Sequence, residues 1–510
     1  MKLARNVVLL LIMLPLLCCS CTFSNDHANR GGNSNEGSEH KKEGQLELKP
    51  YELVMAFPTF SNPQDMQLVE DELNKITKKK INTSIKLITN TANAYVQRMP
   101  LLLMGNEKLD ILVSGFGQYY AQVGKGQLHP LNGLLDHYGQ GVKQAITDQS
   151  PLYLEATYVN GESYGVPSIR DLATEYGFIM RKDLAQKYAI DVAAMKNLDD
   201  VEAALKILKE KEPNMTLAKS YDTTIGLYFE RIWDNLGDNL GVVMFNDANL
   251  RVVNGFESEA YKEIVTRLHH WYNAGFIARD AATSTIGGAA EVKAGTAYGY
   301  LAQMKPGYEA QESKASGYEM VAVRLMPPTS STGNVTGLVW SIADQSDNPE
   351  RAMMFLNLMY SDPDVINLFS WGIEGKHYVK VEGTDNVIDY PRGVNSVNSG
   401  YQLNMGWMFG NPLLSYVWNG EDPRIWSKLS DFNRNARTSP VMGFSFNPDP
   451  VRAEILAASE VLNQYRVAFE TGTVSPNKLP EFNAALKASG LDVIIAEKQK
   501  QLDEWRVSFH

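Results

Sequence analysis

Gly161-Glu-Ser-Tyr-Gly165 has the G-x-S-x-G spacing that sets a nucleophilic serine on a strand-to-helix elbow. Val166-Pro167 follows at once and favours extended chain over the helix such an elbow needs, so Ser163 reads as part of a polar turn. His269 and His270 are adjacent, which is not the spacing that brings two imidazoles to one metal, and they read as helix surface. Asp247-Ala-Asn249 could open a calcium loop, but Val252 stands where that loop needs Gly and Ser258 where it needs Glu. No H-E-x-x-H, P-loop or G-x-G-x-x-G run is present, and nothing in the sequence asks for a cofactor or a metal.

The aromatic content offers a different chemistry, with 24 Tyr and 8 Trp, several of them in turn-rich stretches. Trp371 and Trp407 stand beside Gly372 and Gly406, and Trp340 lies in the strand-like Gly337-Leu-Val-Trp-Ser-Ile342. Tyr95 begins a helical pattern and Tyr119 follows a strand. Arg170-Asp171 offers a guanidinium fork beside a carboxylate, and Glu374 lies close to Trp371. Flat rings flanked by planar hydrogen-bonding groups suit a solute with flat C–H faces rimmed by hydroxyls. Each candidate also has a plainer use: core packing for the aromatics, a hinge ion pair for Arg170-Asp171, backbone capping for Glu374. Trp233 and Trp271 lie in helical patterns and are expected in the core.

These residues need a scaffold, and the chain supplies one. The apolar run Tyr51 to Phe57, stopped by Pro58, predicts a strand. Met66, Val69, Leu73 and Ile76 recur at helical spacing, Ser84 to Thr89 alternates like a strand, Tyr95 to Gly105 predicts a helix kinked at Pro100, and Asp110 to Ser114 predicts a buried strand. Strand, helix, strand, helix, strand is the signature of a parallel sheet with helices on its faces, and ligands collect at the carboxyl ends of such strands. That places Phe57 to Phe60 and Ser114 to Tyr120 at a prospective site. Asn160 to Pro167 and Leu325 to Thr329 suit two crossings between lobes, and Asn348-Pro349-Glu350 starts a helix with Asn as cap and Pro at its first position. Val451, Ile455, Ala458, Leu462 and Tyr465, then Leu491, Ile495, Leu502 and Trp505, predict a helical tail.

The N-terminus sets the compartment. Lys2 and Arg5 precede the apolar run Val7 to Leu17 and the cluster Cys18-Cys19-Ser20-Cys21, a secretory signal too short to cross a bilayer, which takes roughly 20 apolar residues. Residues 1–20 resemble a bacterial lipoprotein signal peptide, which implies Cys21, or alternatively Cys19, as the lipidated residue; an ordinary secretory signal is the plainer alternative. From Ser24 to Gly44 the only apolar side chain is Ala28, so residues 21–48 read as a disordered tether. All three cysteines fall before residue 22, so stability must come from core packing rather than disulfides. The net charge of −11 carries no electrostatic footprint for nucleic acid.

A family resemblance rests on several of these segments in order. Gly161 to Ser168 followed by Tyr176 to Leu184, Val292 to Ala297, Trp371 to Tyr378, Ser439 to Phe446, Pro450 to Glu454 and Glu497 to Trp505 together resemble a family 1 extracellular solute-binding lipoprotein of ABC sugar importers, in its long form with a C-terminal helical domain. The resemblance implies an α/β, two-lobed clamp of the type II periplasmic-binding-protein fold, each lobe a sheet flanked by helices. The expected domains are 49–167 with 327–365 for lobe 1, 168–326 with 366–438 for lobe 2, and 439–510 as a helical region packed on lobe 2. A hinge between lobes would close on the solute, expected to be an oligosaccharide, and hand it to the permease subunits of an ABC importer. The molecule is expected to be a monomer on the outer face of the cytoplasmic membrane, touching it through the lipid alone. A secreted glycoside hydrolase with paired carboxylates and a passive polysaccharide-binding surface protein are the alternatives.

Overall fold

The computed structural model describes residues 48–105, 107–220 and 222–509, without the side chains of the last two. The expected signal peptide, the two candidate lipidation cysteines and nearly all of the expected tether lie outside the described residues. Among those residues no helix is long and apolar enough to cross a membrane.

The first sheet forms as the apolar runs demand. Tyr51–Thr59 is buried on both faces from Leu53 onward, because Met66–Ile81, Ala92–Met104 and later helices cover it. It pairs in parallel with Thr83–Thr91 on one side and Ile111–Gly115 on the other. Leu338–Ile342 adds antiparallel to Ile111–Gly115, and Val166–Pro167 closes the edge, where a proline without an N–H is tolerated. Phe57, Phe369 and Phe409 meet at the centre of this lobe, with Phe369 stacked on Phe409 at 4.4 Å between centroids. Asn348 caps Pro349–Ser361 as expected, its Oδ1 accepting from Arg351 N at 3.0 Å.

The second sheet has the order Arg437–Thr438, Met320–Ser330, Thr174–Arg181, Ala297–Met304, Thr216–Ala218, with Thr174–Arg181 antiparallel to both long neighbours. Its core gathers Phe178, Met180, Trp233, Trp271 and Leu301, so both tryptophans assigned to packing are there. The tail folds into helices Arg452–Glu470, Leu479–Ala488 and Leu491–Phe509, whose Leu462, Phe469, Phe482 and Ile494 complete the same core.

Three boundaries differ from expectation. The chain passes from first to second sheet over residues 168–173 and returns over 331–337, a few residues beyond the expected crossings, because Val166–Pro167 and the whole of Met320–Ser330 are taken up by sheet pairing. Residues 366–414, expected in lobe 2, pack in the first core through Phe369, Tyr401, Leu403, Met408 and Phe409. The tail is not confined to lobe 2: Met442 joins the first core, and Gly443 N donates to Thr332 Oγ1 at 2.9 Å on the return crossing. A third, longer passage through the helix Ile425–Arg434 therefore links the lobes.

Candidate functional site

Parallel strands of the first lobe all end on the edge that faces the crossings, and the chain there leaves apolar rings exposed. Phe60, just past Tyr51–Thr59, is 67% exposed. After Ile111–Gly115 the backbone enters the left-handed region at Phe116 (φ +55°) and Gly117 (φ +78°), held by Phe116 N donating to Gly337 O at 3.1 Å and Gln118 N to Gly115 O at 3.0 Å. A bulky residue in that region costs on the order of 1–2 kcal/mol, and the return is a phenyl ring left 45% exposed at the strand end.

Residues 371–418 bring four more rings to this edge. Trp407 sits on the short turn Gly406–Met408, with its ring 6.4 Å from that of Phe60, and Ser61 Oγ donates to Gln402 O at 3.2 Å to fix the two segments. Gln402 Nε2 donates to the Tyr390 hydroxyl. Tyr390 stacks on Trp418 at 4.5 Å, and Trp418 meets Trp371 edge to face at 5.4 Å. Trp371 ends the helix Pro363–Trp371, and Gly372 then takes φ +80°, where a Cβ would lie 2.4 Å from His377 Nδ1. That imidazole is buried, accepts from Ile373 N at 2.8 Å and donates from Nε2 to Asp65 at 3.0 Å, so the loop is pinned to the start of Met66–Ile81. The hydrogen bond from His377, aided by Lys376, outweighs burial and holds the Asp65 carboxyl below its ordinary range. Phe60 with Trp407, and Tyr390 with Trp418 and Trp371, are two ring clusters that Gln402 joins into one partly exposed aromatic band.

Of the sequence candidates, Trp371 and Trp407 belong to this band. Tyr95, Tyr119 and Trp340 do not overhang a cleft: they are 3%, 2% and 0% exposed. Tyr95 Oη donates to Val113 O at 2.8 Å and accepts from Val113 N at 2.9 Å, and burial raises its pKa. The Tyr119 hydroxyl accepts from Tyr164 N at 3.1 Å and donates to Thr157 O, and Trp340 Nε1 donates to Met408 O at 2.7 Å. Their polar tips are consumed by backbone groups that have no water to bond. Arg170 and Asp171 are spent on the hinge. Arg170 donates to Asn334 O at 2.9 Å and to Asp171 Oδ1 at 3.2 Å, joining the two crossings, while Lys305 meets Asp171 at 3.1 Å. Burial pushes the Asp171 carboxyl up, but Lys305 and Arg170 together hold it below its ordinary range. Glu374 is exposed and pairs with Lys380 at 3.2 Å. Ser163 of the G-x-S-x-G run is buried in a strand, its hydroxyl bonding Gly165 O and Thr157, and no helix follows it.

Phe60 and Phe116 fall in the two stretches expected at the strand ends, whereas Tyr390 and Trp418 lie outside every stretch expected at the site. For Trp418 a signal existed, since Asn419-Gly420 marks a turn beside it.

Residues 61–366 match the family model for bacterial extracellular solute-binding proteins. The chain belongs to that family. Residues 440–507 match a second model, a domain of unknown function. A carbohydrate ABC transporter substrate-binding protein of Streptococcus pneumoniae serotype 4 is 28% identical over 475 residues, covering 89% of this chain and 91% of that one. Among solved structures, the N-glycan transport solute binding protein NgtS of Streptococcus pneumoniae overlays with a TM-score of 0.78 at 25% identity, covering 89% of this chain and 99% of the other. NgtS in complex with Man5GlcNAc covers 90% of this solute-binding protein and 98% of its own chain at 26% identity, but its TM-score falls to 0.66. The neighbours are two-domain proteins of the expected fold, so the type II architecture and the helical C-terminal region stand.

Proposed function

We propose that this solute-binding protein captures an oligosaccharide between its lobes, with Trp407, Trp371, Trp418, Tyr390 and Phe60 as the platform on the first lobe, and delivers it to an ABC importer. The aromatic band at the carboxyl edge of the first sheet carries this reading. Its rings present apolar faces for the C–H side of pyranose units, while Gln402 between them offers a planar polar group. The named relatives, which handle carbohydrate or N-glycan, support the same substrate class. The weaker overlay with the sugar-bound form of NgtS supports a hinge that closes on the ligand. Cys21, or Cys19, carries the lipid that holds the monomer at the outer face of the cytoplasmic membrane, and residues 21–48 act as the tether.

The test is a thermal-shift screen over mannose- and N-acetylglucosamine-containing oligosaccharides, then plant and other microbial ones, followed by small-angle scattering. A true ligand at about 100 times its Kd stabilises the protein by about 2.7 kcal/mol and compacts it. Release of shorter sugars would make the protein a hydrolase, and binding without compaction would make it a passive adhesin.

A further inference from the structure

The helix Arg452–Glu470 belongs to the domain of unknown function, yet its last turn reaches the inner edge of the second lobe. Strand Thr216–Ala218 runs parallel to Ala297–Met304, whose last residue pairs with Glu175 immediately after the first crossing. The segment that leaves Ala218 therefore starts on the side of the sheet that faces the first lobe. Its described part doubles back on itself, with Ser220 N donating to Thr223 O at 2.9 Å and Gly226 N to Thr223 Oγ1 at 2.9 Å. Tyr176, at the start of Thr174–Arg181, donates to Ile225 O, and Lys219 donates to Ser284 O, so both ends are tied to the second lobe.

The outer turn is tied to the tail instead. Arg466 Nη2 donates to Asp222 Oδ2, while Nη1 donates to Glu470 Oε2 at 3.1 Å. The i,i+4 spacing puts Arg466 and Glu470 on one face of the helix, and the Thr223 side chain approaches Glu470 as well. Asp222 is half exposed, whereas Glu470 is buried, so the guanidinium links a surface loop to a fixed interior point. That point is itself immobilised: Gly472, at φ +75°, lies so close to Leu268 O that a Cβ would come to 2.1 Å, and His269 Nδ1 bonds Gly472 O at 2.8 Å. The charged tie is of the kind whose worth lies in geometry more than in net stability, since an ion pair with one exposed partner contributes little to folding.

We infer that the C-terminal domain serves as a brace for the cleft: Arg466, backed by Glu470, is a positioning residue that holds the Asp222 turn in the conformation that meets the ligand from the second lobe. The inference rests on the oligosaccharide reading for its affinity arm, but the positioning itself is measurable without ligand. A brace of this kind gives the domain a reason to travel with the solute-binding lobes, because its bond to Thr332 on the return crossing and its contact with Asp222 let it reach both the hinge and the rim.

Asp222→Asn and Arg466→Lys are the informative variants, with the apolar pair Arg466→Met/Glu470→Met as a control that leaves no charge stranded in the interior. Hydrogen exchange of amides 219–226 in the ligand-free protein is expected to speed up in Asp222→Asn and in the apolar pair, with the melting temperature of Asp222→Asn unchanged. Arg466→Lys is expected to keep exchange near wild type. Where the wild type binds an oligosaccharide, Asp222→Asn should raise its Kd roughly threefold to tenfold. Unchanged exchange in both Asp222→Asn and the apolar pair overturns the brace whether or not a sugar is found. Faster exchange with wild-type affinity also overturns it, by showing that the turn does not meet the ligand. Failure of the wild type to bind any oligosaccharide strikes the substrate reading and leaves the exchange result to decide the positioning.

Discussion

Replacing Glu470 by Gln isolates one buried charge whose cost depends on pH. The side chain lies between Arg452–Glu470 and the second core, 3% exposed, and desolvation pushes its pKa from 4.5 up to about 7 despite the nearby Arg466. Asp222 adds to the rise and Thr223 opposes it. Because the folded protein binds this proton more readily than the unfolded chain, the group's full stability is present below 4.5, and it is lost as pH rises through about 7. At ~1.4 kcal/mol per tenfold change in proton affinity, the loss amounts to at most roughly 3 kcal/mol. Spread over an unfolding entropy of ~2 cal/mol/K for each residue, a protein of this size would shift in Tm by about 3 °C. Gln keeps the shape and carries no charge, so Tm of Glu470→Gln minus Tm of wild type should climb between pH 5 and pH 8 and then level off. Scanning calorimetry or dye-monitored melting across that range measures the difference directly. A difference that stays flat with pH would refute the argument, because it would mean that Glu470 titrates alike in both states.

The remaining expectations concern the band, the core and the hinge. Trp407→Ala and Trp371→Ala should each weaken oligosaccharide binding by roughly threefold to tenfold while moving Tm little, as expected for partly exposed stacking partners; calorimetric titration giving wild-type affinity in both would remove the band from the site. Tyr95→Phe strips Val113 N of its 2.9 Å acceptor and should cost about 1–3 kcal/mol in denaturant unfolding with no change in sugar affinity. Arg170→Met should quicken hydrogen exchange in 168–173 and 331–337 and change affinity by less than about threefold; a large affinity loss with unaltered exchange would return Arg170 to the ligand.

How far the sequence could be read depended on whether a signal was local. The strand, helix, strand pattern from Tyr51 to Ser114 was visible because burial on both faces requires continuous apolar runs and one helix face requires spacing near 3.6. The Asn348 cap was visible for the same reason, its donor and acceptor lying three residues apart. Residues 366–414 are expected with the second lobe yet pack in the first core, because their apolar positions carry no mark of which sheet they cover. Tyr95 and Tyr119 stand where a cleft residue would stand along the chain, but the direction of each ring is set by backbone groups far away, such as Thr157 O for Tyr119.

The aromatic band makes the division plain. Composition and turn residues sufficed to expect aromatic platforms, and to single out Trp371 and Trp407, because glycines beside tryptophans break regular structure and free a ring from packing. The fold class followed from motifs in order along the chain. What only the tertiary structure decided was which rings meet: Phe60 lies beside Trp407 through a bond from Ser61 to Gln402, and Tyr390 lies beside Trp418 through a register between short strands. The same holds for Arg466, a charged residue on a helix like many others until folding brings it to Asp222. Periodicity fixes the face a side chain occupies, whereas proximity across hundreds of residues is set by how the lobes pack.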